Sequence, residues 1–512
     1  MVTAQMPRTH TVIEVDAADL ARRTSPRTDA VVAEAVAVTQ PNRVELVATE
    51  GPFSSYRRTV SWEQSSPGRV RVEQEVDYRL AIPYWSRLYD PLMRRALVDG
   101  VAPGTRPWWS TPNRLSPAQS TMVAAMAMFN LVAGLLYGLL SQVLTFVSAD
   151  LGDGSAGEQT ALLSVVRIGV VITMAAMFLA DRRGRRRVAL ASFIAAAVLT
   201  VAGAAAPTWW IFGALQFFAR NLAIAGLLCV DTISVEELPA GSRAMATGLG
   251  ALAYGLGTGI IVVSLPLADL GPWGWRLTFV VAGLTLPMIW SARRHLPESH
   301  RFERLASDDA PVESRRVNRG RFALLAAMFF LFNVFVAPAS QLQNDYLRAD
   351  RGFSGLLIAV FVVLTATPAG LGVLAGGRLA DIRGRKAAIV PGLTAFGVFN
   401  VVFFSVSGAP MWIASLLSSV LGALAVPAMG VIAPELFPTA HRGGVRGVLT
   451  AIAVGGSVCG LLVAGSIVDS AGYSTAFAVL AVAPIAAAGL AFAIPETRGK
   501  ELEDLNPVRE PN

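Results

Sequence analysis

The sequence predicts an all-α membrane protein with twelve transmembrane helices in two pseudo-symmetric halves of six, preceded by a small cytoplasmic α+β extension. Three observations lead to this fold class. Of the 512 residues, 53% are hydrophobic and only 15% are charged, whereas soluble domains carry about 25% charged residues. Apolar stretches of membrane-spanning length recur after residue 117, and three charged motifs appear in the same order in both halves.

A transmembrane helix needs about 20 apolar residues, and twelve segments meet this requirement. In chain order, as spans 1 to 12, they lie near 118–147, 158–180, 187–206, 208–232, 243–265, 273–292, 321–344, 354–379, 388–407, 410–433, 446–467 and 472–494. The two halves are then residues 117–292 and 321–495, joined by a charged cytoplasmic linker at 293–320. Residues 496–512 form a cytoplasmic tail.

Positive charges in the short loops predict the topology. If the amino terminus is cytoplasmic, the loops outside the cell carry three basic residues, Arg276, Arg348 and Arg351. The inner loops carry many more, including the run from Arg182 to Arg187. Because Lys and Arg accumulate in cytoplasmic loops, we expect both termini inside the cell. The net charge of +7 then reflects topology, and we expect no nucleic-acid partner.

Residues 1–116 are predicted to form a separate cytoplasmic extension. Its first 40 residues are expected to be disordered or weakly ordered. "SSYRRTVSWE" and "GRVRVEQEVDYRLA" then alternate with period two around the turn-like "QSSPG", which predicts a β-hairpin. The amphipathic "YWSRLYDPLMRRALVDG" predicts a helix that lies along the membrane surface or packs beneath the spans.

The spans contain an internal repeat with an offset of about 200 residues. Three motif pairs define it: "LADRRGRRR" at 179–187 with "LADIRGRKA" at 379–387, "EELPAGSRAMATG" at 236–248 with "ELFPTAHRGGVRG" at 435–447, and "PESHR" at 297–301 with "PETRG" at 495–499. The order and the spacing predict that the two halves are parallel structural repeats.

At these motifs the sequence resembles a major facilitator superfamily transporter, over roughly residues 117–505. The signature G-x-L-A-D-x-x-G-R-[KR] stands here as "GRLADIRGRK" from Gly377 to Lys386. "PESHRF", "PELFPTAHRGG" and "PETRGKELEDL" are similar to the sugar-porter and organic-ion-transporter branches. The resemblance implies a secondary active transporter that moves a small organic solute by alternating access across the cell membrane.

The resemblance also implies gating charges at the cytoplasmic ends of the spans. Each signature acid would meet the start of the eleventh or the fifth helix when the inner gate is closed. Three residues per half would form a network, and the arginine seven residues after each glutamate would complete it: Asp181, Arg185, Glu236 and Arg243, with Asp381, Arg385, Glu435 and Arg442.

Three glycine positions belong to the same signature. Gly184 and Gly384 allow the tight reversal between antiparallel helices. The first signature glycine is Gly377 in the second half, but Met177 occupies that position in the first half. We therefore expect span 2 to approach its neighbour less closely than span 8 does, and the first network to be the weaker.

Polar residues inside the spans are candidate ligand contacts, because buried arginines and amides usually face a cavity or a partner. The repeat relates Asn130 in "MFNLVAG" to Asn333 in "LFNVFVA". In the family that the chain resembles, helices 1, 4, 7 and 10 line the cavity. The predicted substrate-binding residues are Asn130, Arg167, Gln216, Arg220, Asn333, Ser418 and Ser419. The alternative is that the amides and hydroxyls only bond neighbouring helices.

Few acids lie within the spans, and Asp231 is placed at the inner end of span 4. A deep proton-coupling carboxylate is therefore not evident, and a coupling ion remains an open partner. A positively charged cavity favours an anionic or polyhydroxy solute. Multidrug or metabolite efflux is one alternative, and a non-transporting sensor that signals through residues 1–116 is another. We expect a monomer in the lipid bilayer, with no cofactor, no metal and no enzymatic activity.

Overall fold

The structure is a computed structural model that describes residues 8–101, 105–152, 162, 165–300, 317–353 and 355–505. It divides into two compact units, Met1–Ala125 and Met126–Asn512. Within the described residues, eleven helices are long and apolar enough to cross a membrane. Part of the predicted span 2 lies outside the described residues. Most of the predicted linker and the end of the tail also lie outside them. The predicted fold class, a two-half helical membrane protein after a small α+β extension, is confirmed.

The first unit contains a five-stranded antiparallel sheet in the order β1-β5-β4-β3-β2. The strands are β1 Arg8–Val15, β2 Ala33–Gln40, β3 Arg43–Glu50, β4 Phe53–Ser66 and β5 Arg69–Leu80. The last two pair over the segment where the alternation predicts a hairpin, with Tyr56 opposite Tyr78. Two helices accompany the sheet, α1 Ala17–Thr24 and α2 Ser86–Asp99.

The prediction of disorder in the first 40 residues is wrong for residues 8–40, which form β1, α1 and β2. Their order comes from packing partners that are distant in sequence. Arg58 of β4 is buried and lies 2.6 Å from Glu34 of β2. The Tyr56 hydroxyl donates to the same carboxylate at 2.5 Å, and burial, followed by the Glu34 charge, raises the pKa of this phenol.

The amphipathic segment after the sheet forms α2, and its apolar face packs within the first unit. Met93, Ala96 and Leu97 are buried in one cluster with Tyr56 and Tyr78 of the sheet. Asp90 accepts a hydrogen bond from the Tyr78 hydroxyl at 2.9 Å. The apolar face that suggested a membrane-surface helix is therefore occupied by the sheet.

Six spans form the first helical half. Their bounds are Pro117–Leu151 for span 1, Val170–Arg183 for span 2, Arg185–Gly203 for span 3, Trp209–Glu237 for span 4, Arg243–Ser264 for span 5, and Trp275–Val281 with Thr285–Ala292 for span 6. Thr208 caps span 4, because its hydroxyl accepts a hydrogen bond from the Ile211 amide.

The second half repeats this order. Span 7 is Arg319–Ala349, span 8 is Gly355–Ala366 and Ala369–Arg383, span 9 is Arg385–Ser405, and span 10 is Ala409–Gly422 and Ala425–Leu436. Spans 11 and 12 follow in Arg442–Leu480 and Val482–Ala493. Gly472, with a φ of 77°, interrupts the helix Arg442–Leu480, so span 11 ends near this residue and span 12 begins after it and continues through Val482–Ala493. Pro368, which lacks an amide hydrogen, stands at the break within span 8.

Glycines bring corresponding helices of each half into close contact. A Cβ atom added at Gly134 of span 1 would overlap the Tyr254 carbonyl of span 5, and one at Gly257 would overlap the Leu131 carbonyl. In the second half, Gly460 of span 11 faces the Val334 carbonyl of span 7 in the same way. Small residues let helix backbones approach closely in a membrane, so the repeat extends to the packing.

Two glycine turns mark one end of the bundle, which we name the signature end. Gly184 has a φ of 100° between spans 2 and 3, and Gly384 has a φ of 113° between spans 8 and 9. Residues with side chains rarely adopt such values. Both turns place the signature acid directly before the reversal, where it faces the other half of the bundle.

Candidate functional site

The signature acids cap helices of the opposite half. Asp381 of span 8 accepts hydrogen bonds from the amides of Ala244 at 3.2 Å and Met245 at 2.8 Å, in the first turn of span 5. Asp181 of span 2 accepts from the amides of Gly443 at 3.0 Å and Gly444 at 2.6 Å, in span 11. The free amides and the positive end of a helix dipole favour an acid there.

Each acid is also paired with the arginine that follows it by four residues. Arg385 lies 2.5 Å from Asp381 and 2.7 Å from Glu435. Arg185 lies 3.1 Å from Asp181 and 3.5 Å from Glu236. These predicted contacts stay within one half.

The arginines that complete the two networks are exchanged between the halves. Arg442 of the second half lies 2.5 Å from Glu236 of the first half. Arg243 of the first half lies 3.7 Å from Glu435 of the second half. These four side chains are buried. Sequence spacing associates each arginine with the glutamate seven residues before it, whereas the packing pairs it with the other one.

We name these groups the first charge cluster, formed by Asp181, Arg185, Glu236 and Arg442, and the second charge cluster, formed by Asp381, Arg385, Glu435 and Arg243. Each contains two acids and two arginines. Each combines three residues of one half with an arginine of the other half. The halves therefore cannot separate at the signature end without breaking ion pairs.

The third repeated motif supplies further caps, which sequence reasoning did not assign. Glu298 of "PESHR" accepts from the Arg186 amide at 3.1 Å at the start of span 3. Glu496 of "PETRG" accepts from the amides of Arg385 at 2.8 Å and Lys386 at 3.2 Å at the start of span 9. A repeated glutamate after each half was the signal that could have identified this role.

Met177 does not lengthen the caps at Asp181, although we expected it to hold span 2 away from its neighbour. The ion pairs of Arg185 are longer than those of Arg385, so the expectation that the first network is the weaker stays a prediction. Gly377 of span 8 lies against Ala244 and Met245, and Met177 of span 2 is buried against Gly447 of span 11. The glycine is thus on the opposite side of the contact in the first half. The cap distances at Asp181 are as short as those at Asp381, since glycines of span 11 make room for the methionine.

Both predicted asparagines bond to other parts of the bundle. The Asn130 amide donates to the Met126 carbonyl at 3.0 Å and interacts with the Asp231 carboxylate of span 4. Asn333 donates to the Phe329 carbonyl at 2.9 Å and accepts from Ser457 of span 11 at 3.5 Å. Each amide therefore links its span to another, as the alternative interpretation expects.

Arg220 lies beside an aromatic cavity. Its guanidinium carbon is 3.8 Å from the centre of the Tyr137 ring of span 1, and the Tyr137 and Tyr254 rings are 6.3 Å apart. A cavity of about 240 Å³ is lined by Ala133, Tyr137, Ala223, Ile224, Leu227 and Tyr254. A cation over an aromatic face is attractive, so Tyr137, which lines the cavity, holds this arginine in place.

Arg167 is placed differently from Arg220, although the two guanidinium groups interact electrostatically. With its amide oxygen turned toward Arg167, which precedes span 2, Gln341 of span 7 accepts hydrogen bonds from the Arg167 guanidinium. This contact joins the two halves. Nearby, Asn221 of span 4 donates to the Val166 carbonyl at 3.0 Å, beside the irregular turn at Gly169.

Two other predicted ligand contacts are used in packing. The Gln216 amide is buried against Gly203 of span 3. The Ser418 hydroxyl accepts from the Asn400 amide of span 9 at 2.5 Å. Ser419 is half-buried one position further along span 10. Of the predicted set, Arg167 and Arg220 interact electrostatically, whereas Gln216 and Ser418 lie at contacts within their own halves.

Sequence reasoning missed the residues that shape the cavity. It also missed an ion pair between spans 4 and 11. Tyr137 and Tyr254 carry no repeated motif, and tyrosine alone does not identify a cavity. Asp231 of span 4 lies 2.8 Å from Arg446 of span 11. Opposite charges near corresponding ends of two spans were the available signal, but pairing them requires knowing that the spans are in contact.

The comparisons with known proteins agree with this architecture. A family model described as Major Facilitator Superfamily matches residues 121–367 and 322–511. A cis,cis-muconate transport protein of Acinetobacter baylyi is 28% identical over 51% of this chain and 67% of its own length. A putative metabolite transport protein of Haemophilus influenzae is 28% identical over 71% of this chain and 93% of its own length.

Two solved structures share the fold. A double tryptophan mutant of XylE matches with a TM-score of 0.68 at 14% identity, covering 77% of this chain and 99% of that one. The human organic anion transporter MFSD10 matches with a TM-score of 0.58 at 18% identity, covering 73% and 99%. At these identities the likeness concerns the fold alone.

Proposed function

The chain belongs to the Major Facilitator Superfamily, a family of membrane transporters, and on this basis we propose that it moves a small organic anion by alternating access. The observation that carries the proposal is the pair of crossed charge clusters at the signature end. Ion pairs between two rigid halves can form in one state and break in the other. Because a buried ion pair costs almost as much desolvation as it gains in attraction, such pairs can be exchanged for solvation when the halves separate.

The signature end corresponds to the cytoplasmic side in this proposal. The basic loops that contain Arg183 and Arg383 lie there, and cytoplasmic loops are rich in arginine. The structure then represents a state closed toward the cytoplasm, with both termini inside the cell. The sensor alternative is less well supported, because both charge clusters are complete.

The topology has a direct test. We expect a membrane-impermeant maleimide added to intact cells to label Asp350→Cys, an exposed site at the far end of span 7. Arg183→Cys, which is exposed beside Gly184, should react only after the cells are permeabilised. Reaction of position 183 in intact cells would reverse the proposed orientation. A variant with Cys229 and Cys459 replaced by serine removes the background from the two native cysteines.

Arg220 and the aromatic cavity support an anionic solute. Arg220 is half-buried, and its guanidinium is held over the ring of Tyr137, a residue that lines the cavity. A carboxylate in the cavity would exchange solvation for a charge-assisted hydrogen bond, while the tyrosine rings contact its apolar part. The relative named for cis,cis-muconate transports a solute of this class, which makes muconate a suitable first probe.

Replacing Arg220 with alanine is expected to weaken anion transport about tenfold to a hundredfold, because a hydrogen bond to a charged group contributes about 1.5–3 kcal/mol. The measurement is uptake of labelled organic acids into proteoliposomes, after a thermal-stabilisation screen has selected a solute. Arg220→Lys should retain part of the activity. Arg294→Ala, which removes an exposed arginine after span 6, is the matched control.

Unchanged anion uptake by Arg220→Ala would contradict the anionic assignment. Uptake of neutral sugars in preference to acids would favour the polyhydroxy alternative. Absence of flux for every solute, with Asp381→Asn indistinguishable from the parent, would favour the sensor.

A further inference from the structure

The exposed side of α2 takes no part in the contacts described so far. The inner side of this helix packs on the sheet through Met93, Ala96 and Leu97. On the other side, basic and apolar side chains are exposed together, and we name these five residues the outer face of α2: Arg87, Leu88, Arg94, Arg95 and Val98. Arginines next to apolar residues on one exposed surface are typical of helices that lie on membranes.

The outer face of α2 has a net positive charge. Of the two acids on this helix, Asp90 is half-buried and accepts a hydrogen bond from the Tyr78 hydroxyl at 2.9 Å. Asp99 lies 3.5 Å from Arg95, but both side chains are exposed, and such pairs contribute little free energy. Three arginines therefore stand against one exposed carboxylate, and an anionic partner fits this face.

The opposite surface of the sheet is mixed in charge. Successive side chains of a strand point to opposite faces, so Arg57 and Asp77, which follow Tyr56 and precede Tyr78, point away from α2. These two residues are cross-strand partners, and Arg8 of β1 forms an ion pair with Asp77 at 3.4 Å. A surface that alternates in sign attracts an anionic layer weakly. The side of the first unit that carries α2 is therefore the basic one.

Contacts with span 1 place the amino end of α2 at the membrane. The first unit includes the beginning of span 1. The indole of Trp85, the residue before α2, donates to the Ala124 carbonyl at 3.0 Å. The Thr121 hydroxyl donates to the Ala81 carbonyl at 3.0 Å. Because every residue over 122–129 is apolar, the hydrocarbon core begins near this level, and Trp85 occupies the interfacial position that tryptophans favour.

The arginines lie within reach of the headgroups of this leaflet. Leu88 follows Trp85 by three residues and shares its side of the helix. It is 66% exposed, and at this level an exposed side chain contacts lipid. Arg95 lies about 10.5 Å beyond Leu88 along the helix axis. The headgroup region, about 5–7 Å thick, and a Debye length of about 8 Å at physiological salt together exceed this distance, whatever the tilt of α2.

We propose that the outer face of α2 is a docking surface for anionic phospholipid headgroups, in the leaflet where span 1 begins. The guanidinium groups of Arg87, Arg94 and Arg95 donate hydrogen bonds to headgroup phosphates, while Leu88 lies at the edge of the acyl chains. A basic residue near an anionic membrane surface strengthens binding about fivefold, so anionic lipid is enriched beside the three arginines. This holds the extension on the membrane and requires neither a solute nor alternating access.

Quenching by brominated lipids tests the proposal in the full chain. Bimane is attached to Leu88→Cys, with Cys229 and Cys459 replaced by serine, and the protein is reconstituted in phosphatidylcholine vesicles. We expect phosphatidylglycerol with brominated chains to quench this label at a mole fraction about fivefold or more below that needed for brominated phosphatidylcholine. A bimane at Val12→Cys, which is exposed and opposite Glu73 on the mixed surface of the sheet, should be quenched by neither lipid.

Two sets of substitutions with the same change in charge separate this face from the net charge of the unit. Replacing Arg87, Arg94 and Arg95 with glutamine should bring the two lipids to equal quenching. The parental preference should remain when three exposed arginines of the opposite surface are replaced by glutamine, namely Arg57, Arg71 and Arg79. If the first set does not fold, about 1 M salt should abolish the preference in the parent, because the Debye length falls to about 3 Å.

Equal quenching of the parent by the two lipids would overturn the proposal, because the face would then contact the membrane without selecting anionic headgroups. Absence of quenching by either lipid would also overturn it, and would direct the basic face toward a soluble acidic partner. So would an equal loss of preference in the two arginine sets. None of these results depends on solute flux, so the proposed transport function is tested separately.

Discussion

Replacing Glu435 with glutamine is expected to open the signature end and to reduce transport at least tenfold. Glu435 is buried and faces Arg385 at 2.7 Å and Arg243 at 3.7 Å. The variant leaves Asp381 as the one acid of the second charge cluster, facing two arginines. Removing one partner of a buried pair costs about 3–5 kcal/mol, which corresponds to a factor of hundreds to thousands in an equilibrium. Nitroxides attached to Arg183→Cys and Arg383→Cys, both exposed at the signature end, report the opening by double electron–electron resonance.

Glu501 provides the matched control for this prediction. It lies 3.2 Å from the same Arg243, but its side chain is 53% exposed. Exposed ion pairs contribute about 0–1 kcal/mol, so Glu501→Gln should keep the closed distance distribution and nearly all transport. A Glu435→Gln variant that remains closed would show that the crossed pairs do not hold the halves together.

Replacing Gly257 with valine is expected to destabilise the first half by about 3 kcal/mol, the upper end of the usual cost of about 1–3 kcal/mol for overpacking, because the contact is with backbone atoms. An added Cβ at this position would overlap the Leu131 carbonyl and lie 2.8 Å from the Leu135 amide nitrogen. Neither backbone atom can move away without displacing span 1. Thermal unfolding in detergent, followed by size-exclusion chromatography, measures the loss.

Gly255 on the same span gives the comparison. A Cβ there meets no described atom within 4 Å, and the residue is exposed. Gly255→Val carries the same helix-propensity cost as Gly257→Val but no steric overlap. Equal melting temperatures for the two variants would show that the contact between spans 1 and 5 tolerates a side chain.

The repeat was the part of the site that sequence reasoning could identify. Asp181 and Asp381 were singled out because an acid at the end of a helix is unfavourable without a partner, and each has one in the structure. Arg220 was identified because a cation inside a span must face a cavity or a partner. In contrast, Tyr137 is an ordinary apolar-span residue until span 4 places Arg220 over its ring.

Two expectations about packing were wrong because each considered only one of the two surfaces in a contact. The consequence of Met177 depended on span 11, where Gly447 provides the space that Gly377 provides in the second half. Residues 8–40 were expected to be disordered because their burial depends on Arg58 and Tyr56, which lie on a later strand. In both cases the residue that decides the outcome is distant in the chain.

The order of spans and the fold class follow from the sequence, because hydrophobicity and charge along a helix are local properties and a repeat is visible in the letters themselves. The exchange of Arg243 and Arg442 between the halves, and the pair of Asp231 with Arg446, follow only from the packing. Spacing along one helix determines which residues share a face. It carries no information about which helix of the other half that face will meet.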